Sequence, residues 1–214
     1  TQTCGDIARP DWAQLCAVAK DSPAARDFFE TFFQPVLIED GEPMLFTGYY
    51  EPEIPGSLTP DNIYRFPIYR LPDDGTEGTY SRREIEENLP YADRGMEIAW
   101  LADSVDLFFL QVQGSGRIRL PEGRLMRVGY AGKNGRNYTS VGRALVDRGV
   151  YTWDQVSSPV IRQWVKDNPA EGQALLWLND SYVFFRIIDE VPAEKGPLGA
   201  MNRSITPMRS IAVD

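Results

Sequence analysis

The sequence predicts a mainly β fold, an antiparallel barrel or sandwich that carries a few short helices. Three observations predict it. Short apolar runs bounded by glycine, proline and polar turns recur from residue 44 to residue 130 and return at 181–188. Helical signals are confined to three stretches, each cut short by a cap or a proline. No internal repeat is visible, and no run approaches the roughly 20 apolar residues of a membrane-spanning helix.

The first element is a helix over residues 22–35. Ser22 can cap it, Pro23 suits its first turn, and Phe28, Phe29, Phe32 and Phe33 fall on one face, which assigns that stripe to the core. Met44–Tyr50 and Tyr64–Arg70 read as strands separated by the turn-rich stretch Pro52–Asn62. Ser81-Arg82-Arg83-Glu84 is a capping-box pattern and starts a short helix that ends near Leu89. Ile98–Leu101, Leu107–Gln113, Arg117–Leu120 and Leu125–Tyr130 follow as successive strands. Ser140 opens a helix that Gly149 closes, and Ser158-Pro159 and Asn168-Pro169 each supply a cap followed by proline. Ser181–Ile188 is β-prone. The tail is rich in proline and glycine until Ser210–Val213, where a further strand is expected to begin.

Composition narrows the function. The 214 residues hold 31 acidic and 22 basic side chains, a net charge of −9. That balance argues against nucleic acid as partner and against adhesion to an anionic membrane. There is no histidine. A Ser-His-Asp triad, a Cys-His pair and most zinc sites are thereby excluded, and no metal or cofactor is expected. Acid–base work falls to Asp, Glu, Tyr, Lys or Cys. Cys4 and Cys16 are either one disulfide or two buried thiols, and the sequence leaves both open.

Three segments can carry chemistry. In Phe46-Thr47-Gly48-Tyr49-Tyr50-Glu51-Pro52, a glycine admits close approach of a ligand, and adjacent tyrosines on a strand point to opposite faces. A glycine at a bulge with two structural tyrosines is the alternative. In Gln111-Val112-Gln113-Gly114-Ser115-Gly116, two amides on one face of a strand precede a tight turn with exposed backbone groups. Such neutral donors and acceptors suit sugar hydroxyls and acetamido groups; a plain hairpin turn is the alternative. In Tyr130-Ala131-Gly132-Lys133-Asn134-Gly135-Arg136, Lys133 and Arg136 can meet a substrate carboxylate or form a solvated loop. Among the acids, Glu51 is a candidate general acid, and Asp103 and Asp106 read as caps or solvated groups.

In this order the segments closely resemble the membrane-bound lytic murein transglycosylase A family. The likeness rests on Thr47-Gly48-Tyr49-Tyr50 with Pro52, Pro67-Ile68-Tyr69-Arg70, Ser81-Arg82 with Glu84-Ile85, Val112-Gln113-Gly114-Ser115-Gly116, Tyr130-Ala131-Gly132-Lys133-Asn134-Gly135 and Tyr182-Val183-Phe184-Phe185. It runs from Leu45 to Asp214.

The resemblance implies two β-domains separated by a deep groove. One is a double-psi β-barrel, incomplete here, from residues 1–71 and 187–214. The other is a smaller barrel-like domain inserted over 72–186. The implied reaction cleaves the bond between N-acetylmuramic acid and N-acetylglucosamine without water, leaving a 1,6-anhydro end. A single aspartic acid protonates the leaving oxygen and then accepts the proton of the muramyl 6-hydroxyl as that group attacks the anomeric carbon. The family's stretch resembling Asp-Thr-Gly-Gly-Ala-Ile, which holds that aspartate, does not occur in these 214 residues; Arg209–Asp214 resembles the opening of the three-aspartate segment.

By the same resemblance Thr47, Gly48, Tyr49, Tyr50, Gln113, Gly114, Ser115, Gly132, Lys133 and Asn134 bind substrate, with Lys133 facing a muramyl or stem-peptide carboxylate. The implied partners are peptidoglycan glycan strands and complexes of cell-wall synthesis or hydrolysis. The implied state is a monomer, on the periplasmic face of the outer membrane or in the periplasm. A non-catalytic peptidoglycan-binding fragment and a two-carboxylate glycoside hydrolase acting through Glu51 are the competing expectations.

Overall fold

The computed structural model describes residues 4, 7, 9–22, 24–37, 51–92, 94–190, 192–197 and 205. The expected strands Met44–Tyr50 and Ser210–Val213 lie outside them, as do Thr47, Gly48, Tyr49 and Tyr50. The chain divides into two units: Thr1–Gly48 with Leu198–Arg203 and Ile211–Asp214, and Tyr49–Pro197 with Ser204–Ser210.

The first unit contains a 3-10 turn at Pro10–Trp12, helix α1 (Ala13–Asp21) and helix α2 (Ala25–Phe32). Cys4 and Cys16 form a disulfide that ties the chain start to α1. Helix α2 is shorter than the predicted 22–35, and its phenylalanine stripe is not core. No residue of α2 is buried; Phe29 is 58% and Phe32 45% exposed. The rings cover one another instead, with centroids 5.2 Å apart for Phe28–Phe32 and for Phe29–Phe33, and Trp12 is 5.7 Å from Phe33. Two short helices offer too little surface to enclose four rings.

The second unit is built on a six-stranded sheet in the order β2-β3-β1-β4-β5-β6. Its strands are β1 (Glu53–Ser57), β2 (Phe66–Tyr69), β3 (Glu97–Leu101), β4 (Ser115–Arg119), β5 (Leu125–Lys133) and β6 (Val183–Ile187). All neighbours are antiparallel except β1 and β4, which are parallel with Ile54 opposite Ile118. A bridge between Arg70 and Phe185 brings the two ends of the strand order together at one corner. The sheet therefore curls toward closure, which shields its edges.

Helix α3 (Arg82–Asn88) begins with the predicted capping box: Ser81 and Glu84 exchange side-chain-to-backbone bonds. Helix α4 (Ser104–Gln113) replaces the strand predicted over Leu107–Gln113. Asp103 caps it by accepting from the Val105 amide at 2.8 Å. The misreading has a physical cause. One side of α4 sends Leu107 and Leu110 into the sheet core with Ile54, Ile68, Leu101, Ile118 and Val128. The other sends Val105, Phe108 and Phe109 into a second core formed with α5 (Val141–Asp147), α6 (Ser158–Asp167) and α7 (Pro169–Leu176). A helix buried on both sides loses the polar stripe that identifies it.

Candidate functional site

The last turn of α4 and the first residues of β4 form the centre of the site. Gly114 ends the helix in the left-handed region, φ 75°, with its amide bonded to the Leu110 carbonyl at 2.9 Å. Two residues later, a Cβ on Gly116 would lie 2.4 Å from Leu110 Cδ1 and 3.2 Å from the Pro52 carbonyl. The Arg117 amide donates to that same carbonyl at 2.8 Å. Glycine at 116 thus lets the end of the first sequence segment lie against the second. The third is next to both: Ser115 pairs with Gly129 on β5, and Gly114 lies beside Tyr130.

Because residues 111–113 are helical, Gln111 and Gln113 do not share a face. Two positions on an α-helix are about 200° apart. Gln113 lines a cavity of ≈ 470 Å³ with Pro52, Ile54, Phe109, Ser158 and Arg162, among others. Gln111 and Val112 line another, of ≈ 270 Å³, with Arg82, Tyr138, Asn179, Ser181 and Val183. The end of α4 is therefore a partition between two cavities, one reaching the first segment through Pro52. Neither is lined by residues 130–134.

In the first cavity Arg162 lies over the Phe109 ring, 4.4 Å from its centroid, and pairs with Asp106. Apolar walls with a few amide, hydroxyl and guanidinium groups suit a polar ligand with apolar faces. Tyr182 is buried beside Arg82, whose guanidinium lies 5.4 Å from its ring centroid, and its hydroxyl is held well above the ordinary phenol value by burial, and next by the Glu86 charge. It stays protonated.

Lys133 is exposed at the end of β5, opposite Val183, and Gly132 packs beneath Leu71. Asn134 differs from the other expected binding residues. It is 2% exposed, its Nδ2 donates to the Tyr80 and Asp180 carbonyls at 3.1 and 2.9 Å, and its Oδ1 accepts from the Tyr182 amide at 2.9 Å. Its amide holds three chain segments together under the Lys133 strand. Glu51, the alternative acid, is tied to Arg127 and Arg117 in a buried ion pair. Asp106 is committed to Arg162 and Asp103 to its helix cap. No group of three or more potential metal ligands occurs among the described residues.

Sequence reasoning missed Arg82, Tyr138 and Arg162. Arg82 lay inside a quoted motif; the other two meet α4 only through long-range packing.

The model of the MltA specific insert domain matches residues 45–186, which take in the whole α4–β4 turn and both cavities. The chain belongs to this family. A membrane-bound lytic murein transglycosylase A of Vibrio cholerae is 33% identical over 174 residues, 80% of this chain and 45% of that protein. Among solved structures, the lytic transglycosylase LtgG of Burkholderia pseudomallei superposes with a TM-score of 0.72 at 39% identity, over 100% of this chain and 66% of that one. The Escherichia coli MltA with bound chitohexaose gives 0.63 at 35%, over 72% and 44%. The chain spans less than half the length of the Vibrio relative. As in the MltA structures, a β-sheet carries helices on its surface. No helix among the described residues is long and apolar enough to cross a membrane.

Proposed function

We propose that this chain belongs to a lytic transglycosylase that cleaves peptidoglycan glycan strands at the outer membrane, and that its second unit supplies part of the glycan-binding surface. One observation carries the reading. Gln113 lines a cavity beside Pro52, inside the stretch shared with proteins named lytic murein transglycosylase A. Thr47, Gly48, Tyr49, Tyr50, Gln113, Gly114, Ser115, Gly132 and Lys133 are assigned to the glycan, and Asn134 to the support beneath them. None of these is assigned as the catalytic acid. The reading gives that role to an aspartate in a segment this sequence does not contain.

The double-psi barrel is assigned to the first unit and the inserted domain to the second. Their boundary is drawn before β1, since β1 and β2 pair into the same sheet as β3–β6.

Digesting purified peptidoglycan with an enzyme that joins this chain to the aspartate-bearing segment, and weighing the products, tests the activity. Muropeptides one water lighter than hydrolytic products are expected. New reducing ends would overturn the reading in favour of a hydrolase, and binding without cleavage in favour of a non-catalytic module. Lys133→Ala is expected to weaken binding of carboxylate-bearing muramyl glycans about tenfold while sparing neutral chitohexaose. Equal losses on both would remove Lys133 from carboxylate recognition.

A further inference from the structure

One buried arginine holds together the entry and the exit of the second unit. Arg127 lies on β5, directly across the ladder from Arg117 of β4, and its side chain is 1% exposed. Its Nε is 3.0 Å from Glu51 Oε1 and its Nη2 donates to Glu51 Oε2 at 3.2 Å. The same Nη2 donates to the carbonyls of Ala193, at 3.4 Å, and of Lys195. Arg117 adds its Nε at 3.7 Å from Glu51 Oε2. Glu51 comes just after the unit boundary at Gly48, and Lys195 just before the one at Pro197. Neither Glu51 nor Arg127 lines either cavity of the candidate site.

We infer that Glu51 and Arg127 are positioning residues, a clasp that couples the return segment 192–197 to the chain at 51–57 and so sets the place of Pro52 and Ile54 in the wall of the larger cavity. The physical reason is the way the guanidinium is shared. A buried ion pair by itself adds little stability, because well-packed apolar side chains often replace it without loss. This guanidinium, however, is divided between a carboxylate on one segment and carbonyls on another. Its Nη2 has acceptors on both segments at once, and a buried donor that loses its acceptor is costly. Displacing either segment therefore unsettles the other. A lysine cannot substitute, since an ammonium lacks the planar fork that spans the two acceptor sets.

The glycan arm of the test rests on the proposed function; the exchange arm does not. The clasp is replaced by Glu51→Leu with Arg127→Met, an apolar pair expected to fold, and Arg127→Lys is made alongside. Hydrogen exchange is followed by mass spectrometry in residues 51–57 and 192–197, with β5 and β6 as internal reference. In the double variant both terminal segments are expected to exchange at least about tenfold faster while the reference strands hold, and chitohexaose affinity is expected to fall about tenfold. Arg127→Lys is expected to fall between the double variant and the parent. Unchanged exchange in either segment would overturn the coupling. Faster exchange with undiminished affinity would overturn the positioning role. A parent protein that does not bind chitohexaose would refute the glycan reading and leave the coupling to be decided by exchange alone.

Discussion

Two adjacent arginines on α3 should differ severalfold in what they contribute, and replacing each with methionine measures the difference. Arg82 and Arg83 have side chains 1% and 62% exposed. Arg82 donates to the Asn179 carbonyl at 2.8 Å, the Ser181 carbonyl at 2.5 Å and Glu86 Oε1 at 2.8 Å, and its guanidinium lies between the Phe108 and Tyr182 rings. Arg83 pairs with Glu87 in solvent and lies over the Trp177 ring. Removing one partner from a buried, fully bonded charge costs about 3–5 kcal/mol. Removing an exposed pair with a cation–π contact costs less than about 1 kcal/mol. Glu86 keeps bonds from Trp177 Nε1 and Gln173 Nε2, so it is not stranded, and Arg82→Met belongs at the lower end of its range. Even so, the melting midpoint of the second unit should drop by roughly 6–12 °C. Urea titration followed by tryptophan fluorescence gives both free energies, with Trp177 as a reporter beside α3. If Arg82→Met cost no more than Arg83→Met, the carbonyl bonds and burial of Arg82 would not be the anchor of residues 179–182, and the wall of the smaller cavity would need another account.

Two further outcomes follow from the same core. Gly116→Ala puts a methyl group against fully buried Leu110 and the Pro52 carbonyl, and should lower stability by about 1–3 kcal/mol; a urea midpoint unchanged at constant m would show that the strand can shift without cost. Tyr182, with its folded pKa raised, contributes stability that is fully present below the ordinary phenol value of 10.0 and is lost as pH rises toward the folded value, because the unfolded chain ionises first. Tyr182→Phe should flatten the decline in stability between about pH 9 and 11, and identical slopes in the two proteins would refute this.

What could be read in advance was local. Ser81 and Ser140 cap the helices predicted for them, Gly149 takes a left-handed φ of 70° after α5, and prolines 159 and 169 sit at the starts of α6 and α7. The Cys4–Cys16 disulfide is one of the two readings left open by the sequence. Such signals are carried by residues within a few positions of each other, so a linear string displays them. The sites were less legible. Gln111 and Gln113 are predicted on one face of a strand and point into different cavities of a helix. Asn134 has the look of a surface turn residue and is a buried brace.

The sequence alone settled the family, through motifs in a set order, and the starts of α3, α5, α6 and α7, through caps and prolines. The tertiary structure decided that Leu107–Gln113 is helical, that β1 runs parallel to β4, and that Glu51 is spent on Arg127. Each of these depends on partners more than 40 positions away in the chain or on burial from two sides at once. Neither leaves a periodic trace in the letters, since a contact between distant residues is specified by how whole surfaces pack.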